Sequence, residues 1–108
     1  MKVTQTTMSM VGTIAYMAPE VLNRDKPDSK VDIWALGVIL YEFLTFKHPF
    51  WVEDALSIGA ITNDRPFNEP KAVSPFIKSL LEKLLDKNPK TRFSTSQLLN
   101  IEEIKKYA

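Results

Sequence analysis

The sequence predicts an all-α domain, with one central buried helix surrounded by shorter helices and long loops. Three observations carry that expectation. From Asp32 to Leu44 nearly every residue is apolar, interrupted only by Asp32, Gly37 and Glu42. From Ser74 to Leu85, a serine cap and Pro75 at the first helical position precede Ile77, Leu80, Leu81, Leu84 and Leu85 on one face. Ser94 with Gln97 three residues later forms a second cap signal, a capping box that opens a last helix.

In chain order, residues 1–11 are rich in Thr, Ser and Met without periodicity and read as an exposed loop. Gly12 to Glu20 reads as extended, and Pro19 suits the first position of a short helix through Leu22. Asn23–Asp28 is a turn. Ser29 and Asp32 then mark a helix N-terminus, the serine oxygen accepting from an orphan N–H while the carboxylate reaches back to the cap. The central helix, residues 29–45, rises about 24 Å at 1.5 Å per residue, enough to cross a small domain. Because it is apolar on every side, it is expected to be buried on every side. Asp32 is then a carboxylate at or inside the core that must find donors. It is either the capping acid of a core helix or the fastening of a functional loop.

Beyond Thr45 the loop Phe46–Trp51 contains Pro49, which prevents helix continuation. Asp54–Ile61 reads as a short amphipathic helix, and Thr62–Val73, with Pro66 and Pro70, as an irregular connection. After the Ser74–Leu85 helix and a turn over Asp86–Arg92, the last helix is expected to point Leu98, Leu99, Ile101 and Ile104 inward.

Composition limits the function. A chain of 108 residues makes one domain or part of one. A hydrophobic share of 44%, a charged share of 25% and a net charge of +1 are those of an ordinary globular protein, with no charge argument for nucleic acid or membrane partners. Without cysteine there is no disulfide, thiolate metal site or cysteine nucleophile, which suits a reducing compartment. No apolar run reaches the roughly 20 residues of a membrane span, and no signal-peptide core forms. The expectation is a soluble intracellular chain, cytoplasmic in location.

Gly12, Gly37 and Gly59, the only glycines, stand too far apart for a phosphate-cradling loop. The single histidine, His48, stands beside Pro49 in a loop and reads as a solvated side chain, not a general base. The positive signal is Gly12-Thr-Ile-Ala-Tyr-Met-Ala-Pro-Glu20, together with Asp32-Ile-Trp-Ala-Leu-Gly37 and Asn88-Pro-Lys-Thr-Arg92. In order and spacing these blocks resemble the second half of the C-terminal lobe of eukaryotic protein kinases, over residues from about Ser9 to Ile104. Thr13 is similar to the serine/threonine branch.

That resemblance implies roles for individual residues. It divides the chain into an activation-loop-like segment (1–11), a substrate-pocket and Ala-Pro-Glu segment (12–22), the central helix (29–45) and C-lobe helices (46–108). Ser9 and Thr7 become candidate phosphorylation sites, with solvated loop hydroxyls as the alternative; phosphate would add about −1.5 to −2 charges. Gly12, Thr13 and Tyr16 are implied to bind protein substrate. Glu20 and Arg92 are implied to form a buried bidentate pair, the alternative being a coincidental surface pair. Asp32 is implied to anchor the catalytic loop.

The Gly-rich loop, the phosphate-pairing Lys, the His-Arg-Asp loop and the Asp-Phe-Gly metal site belong before residue 1, and none is present. The chain therefore offers no catalytic residue, cofactor site or metal site; ATP and Mg²⁺ are implied for an intact parent. Two functional expectations stand. One is a C-terminal fragment of a serine/threonine kinase whose partners are the missing N-terminal segments, a protein substrate or a regulatory kinase. The other is a non-catalytic lobe remnant acting as an interaction module. Without the preceding segments, part of the apolar helix, including Ile33, Trp34, Leu36 and Leu40, is expected to face water or another molecule. Phe46 also departs from the family's frequent glycine at the end of this helix. A left-handed phenylalanine costs about 1 kcal/mol, so a different helix ending is expected.

Overall fold

The structure is a computed structural model that describes residues 14–26, 28–52 and 55–106. Its elements run α1 (Pro19–Leu22), α2 (Lys30–Thr45), β1 (Trp51–Val52), β2 (Ala55–Leu56), α3 (Ile58–Thr62), α4 (Pro75–Leu84), α5 (Thr95–Leu99) and α6 (Glu102–Lys105). The fold is mostly helical, as expected. Pro19 opens α1 at its first position, following an extended Ala18.

The start of α2 differs in detail from the sequence reading. Ser29 is itself helical in backbone and makes no side-chain cap bond. The acceptor is Asp28, whose Oδ1 takes the Lys30 N–H at 2.8 Å. A serine already turned into the helix cannot aim its oxygen at the orphan donors, so the residue before it does so.

Burial of α2 is one-sided, which corrects the expectation of a helix covered all round. Ile33, Trp34, Gly37, Val38 and Tyr41 are buried, whereas Leu36 and Ile39 are half exposed and Phe43 is 79% exposed. The exposed residues recur at helical spacing, so they form a single stripe. Of the residues expected to face water, Leu36 does so, but Ile33 and Trp34 are interior and Leu40 is partly buried. A sequence apolar on all sides cannot say which side its neighbours occupy.

The helix ends in the left-handed conformation after all: Phe46 has φ 63° and its N–H bonds the Glu42 carbonyl at 2.7 Å. The strain is accepted because Pro49 and Phe50 must turn inward three residues later, where both are buried. Phe46 itself stays 90% exposed.

Two elements of the second half also correct the reading. The helix expected over 54–61 starts only at Ile58, because Ser57 is extended and its Oγ caps the Ala60 N–H at 3.1 Å. Before it, β1 and β2 pair antiparallel, Trp51 opposite Leu56 and Val52 opposite Ala55. The last helix is two helices. Ile101 is extended (φ −68°, ψ 128°) and begins α6, which leaves Leu98 buried but Leu99 half exposed. Ile101 instead packs partly buried against the cluster of Ile33, Leu84 and Leu98.

The caps of α4 and α5 follow the sequence. Ser74 Oγ accepts the Ile77 N–H at 3.2 Å. Ser94 and Gln97 bond reciprocally, Gln97 N–H to Ser94 Oγ at 3.2 Å and Ser94 N–H to Gln97 Oε1 at 2.8 Å. The main core joins Trp34, Val38 and Tyr41 of α2 to Phe50, Ile61, Leu81 and Leu85. Gly37 is where α2 meets the end of α4: a Cβ there would lie 2.8 Å from Leu84 Cβ and 2.8 Å from Leu85 Cδ2.

Gly37→Ala should therefore destabilise the fold. Overpacking of this kind costs about 1–3 kcal/mol, against about 1 kcal/mol gained from helix propensity. A lower urea midpoint at unchanged slope checks it.

Candidate functional site

The site is built where the turn after α4 meets the N-terminal half of the chain. Asp86 Oδ1 accepts the Asn88 N–H at 2.9 Å and its Oδ2 accepts the Thr91 hydroxyl at 2.7 Å. Asn88 Oδ1 accepts the Lys90 N–H at 3.0 Å. These local bonds are what Asp and Asn side chains offer a turn, and they leave Arg92 pointing inward.

Arg92 is fully buried, and Glu20 is 6% exposed. Arg92 Nη1 and Nη2 donate to Glu20 Oε2 and Oε1, each at 2.8 Å, so the two ions meet fork to fork. Nη1 also donates to the Lys30 carbonyl at 2.9 Å and Nε to the Asp86 carbonyl at 2.7 Å. The guanidinium lies 5.2 Å from the centre of the Trp34 ring. One side chain thus gathers α1, the start of α2 and the turn over 86–92.

Tyr16 is held at the other end of α2. Its hydroxyl donates to Glu42 Oε1 at 2.7 Å. That bond, with burial and the carboxylate's charge, raises the phenol above its ordinary pKa. His48 is not a solvated loop residue, contrary to the sequence reading. It is 3% exposed, and its ring bonds the Ala15 carbonyl and the Phe50 N–H. Lys87 is a second side chain the sequence did not single out. Its Nζ donates to the carbonyls of Ala60 (2.6 Å), Asn63 (2.7 Å) and Arg65, and sits 4.6 Å from the centre of the Phe50 ring. Burial lowers its pKa, and its role is to hold the end of α3.

Asp32 is solvent-exposed in the first turn of α2, not at the core as expected. Gly12, Thr13, Thr7 and Ser9 lie outside the described residues. Of the sequence-derived site residues, Glu20 and Arg92 are brought together. Tyr16 and Asp32 stand on separate parts of the surface, near opposite ends of α2. Glu42 and His48 were missed as partners of residues 15–16. Glu42 had a legible signal, as one of the few polar breaks in the apolar run; His48 had none beyond its proline neighbour.

The protein kinase domain family matches residues 1–102. The chain belongs to the protein kinase family. Among its relatives, calcium/calmodulin-dependent protein kinase type II of Caenorhabditis briggsae is 44% identical over 94 residues, 83% of this chain and 18% of that protein. Serine/threonine-protein kinase PKZ1 of Phytophthora infestans is 39% identical over 102 residues, 87% of this chain and 25% of that protein. An Aurora kinase of Dictyostelium discoideum is 32% identical over 97 residues, 90% of this chain and 25% of that protein. The chain thus spans a quarter or less of the length of these serine/threonine kinase relatives.

Kinases of this family use ATP and Mg²⁺. Among the described residues no cluster of three or more His, Asp or Glu side chains is placed to hold a metal ion. The three glycines of the chain, Gly12, Gly37 and Gly59, lie far apart in sequence.

The buried pair gives a direct test. Removing one partner of a buried ion pair costs about 3–5 kcal/mol, because the other charge is left alone. Glu20→Ala and Arg92→Ala should each loosen or unfold the domain, and the double variant should cost less than their sum. Denaturant unfolding of the four proteins in the cycle measures the coupling.

Proposed function

We propose that this chain is the C-terminal part of a serine/threonine kinase domain, supplying the substrate-pocket wall and the helical scaffold for phosphoryl transfer by an intact kinase. The observation that carries this reading is the family match over residues 1–102, in a chain that spans a quarter or less of the serine/threonine kinases it resembles. In that role Gly12, Thr13 and Tyr16 line the substrate pocket, and Glu20 with Arg92 holds their segment to the helical base. Asp32, exposed at the start of α2, is free to accept N–H bonds from a catalytic loop supplied by preceding segments. Ser9 and Thr7 are the sites of activating phosphorylation. The intact kinase supplies ATP and Mg²⁺, acts on protein substrates and works inside the cell.

A second reading, a non-catalytic lobe acting as an interaction module, is favoured by one observation. Leu36, Ile39 and Phe43 offer an apolar stripe on α2 with no partner among the described residues. A contiguous exposed patch of this kind commonly marks an interface.

Nucleotide titration and a phosphotransfer assay separate the readings from an autonomous enzyme. The 108-residue chain should bind no ATP·Mg²⁺ and phosphorylate nothing; saturable nucleotide binding would contradict both. An in-frame upstream coding sequence for the His-Arg-Asp and Asp-Phe-Gly blocks supports the first reading, and an upstream stop in the transcript supports the second. In the extended kinase, Ser9→Ala should lower activity more than Thr4→Ala. Equal activity of Ser9→Ala and the parent assigns Ser9 to the solvated loop.

A further inference from the structure

The single histidine of the chain is buried, and both of its ring nitrogens are engaged. The Phe50 N–H donates to His48 Nδ1 at 3.0 Å, so Nδ1 must carry a lone pair. Nε2 stands 2.6 Å from the Ala15 carbonyl oxygen, which can only accept, so Nε2 must carry the proton. The two bonds together assign one neutral tautomer. They also differ in reach: Phe50 is two residues away, whereas Ala15 is 33 residues away, in the segment that carries Tyr16.

We infer that His48 is a positioning residue for the substrate-pocket wall: as the neutral Nε2–H imidazole it pins the Ala15 carbonyl and fixes the segment leading to Tyr16 against the end of α2. This rests on the proposed substrate-binding role of that segment. Tyr16, bonded to Glu42, supplies the second attachment, so the wall is held by two side-chain bonds near the end of α2. Neither attachment needs a residue of the Glu20–Arg92 pair.

The pin is sensitive to protons. A proton on Nδ1 would face the Phe50 N–H, donor against donor. The ring must then turn, and the Ala15 bond turns with it. Burial lowers the imidazole's affinity for that proton, while the Ala15 carbonyl and the Glu42 charge work in the opposite direction. The charged groups around the ring come from three places. Glu42 of α2 and Lys47 of the same loop line a cavity of about 350 Å³ with His48 and Trp51. Lys87, from the turn after α4, lies across the Phe50 ring. The folded-state pKa lies below the unfolded value of about 6.5. The contribution of His48 to stability is therefore present above that value and is lost as the pH falls through the folded pKa.

With one histidine, the imidazole nitrogen resonances of the full chain need no assignment. At neutral pH they should show the Nε2–H tautomer, with protonation below the ordinary histidine range. An Nδ1–H tautomer, or titration like free histidine, overturns the inference. His48→Gln places an amide donor near the Nε2 position, whereas His48→Asn places an acceptor only near Nδ1. The Ala15 carbonyl and Tyr16 ring resonances should return toward wild type in H48Q and stay displaced in H48N. Equal displacement in both variants would show that His48 only fills space. These resonances report the pin without any substrate, so its failure is distinct from failure of the substrate reading. Should both variants fail to fold, the wild-type tautomer and titration decide the matter alone.

Discussion

The structure depends on one buried guanidinium. Arg92 meets Glu20 fork to fork and donates to two backbone carbonyls, those of Lys30 and Asp86. Four of its five N–H donors are thereby satisfied, and its guanidinium carbon lies 5.2 Å from the centre of the Trp34 ring. Lysine, a single point of charge, could not make the same set. A buried ion pair of this kind contributes little net stability against an apolar replacement. What it adds here is geometry, since residues 72 apart in sequence are held in one orientation.

From that fixed point the substrate-side segment runs to a second set of attachments. Tyr16 reaches Glu42 and Ala15 receives His48, both near the far end of α2. The central helix therefore acts as a bar with the 14–22 segment tied along it. This makes the left-handed Phe46 intelligible: the helix must stop there for His48, Pro49 and Phe50 to turn back inward. Phe50 then stacks on Trp34, with ring centres 5.6 Å apart, and so returns the second set of attachments to the ring beneath Arg92.

Local signals were the part of this fold that the sequence made legible. Ser74, Ser94 with Gln97, and Pro19 act where they do because a cap needs only its own neighbours to work. The Glu20–Arg92 pairing was legible only through the family resemblance, since nothing local links residues so far apart. What stayed illegible depended on distant packing. The exposed stripe of Leu36, Ile39 and Phe43 has the same composition as the buried face, and only neighbouring elements decide between them. His48 sits in a loop as expected, yet Pro49 and Phe50 draw it under the surface. Ser29 loses its cap role to Asp28 through a backbone rotation that composition does not encode.

Amide hydrogen exchange of wild type against Arg92→Lys tests most directly whether Arg92 ties the two halves together. The substitution keeps the charge and removes the fork. Exchange should rise together in the turn over 86–92 and in the 14–25 segment, far away in sequence. A rise confined to the turn would contradict the account.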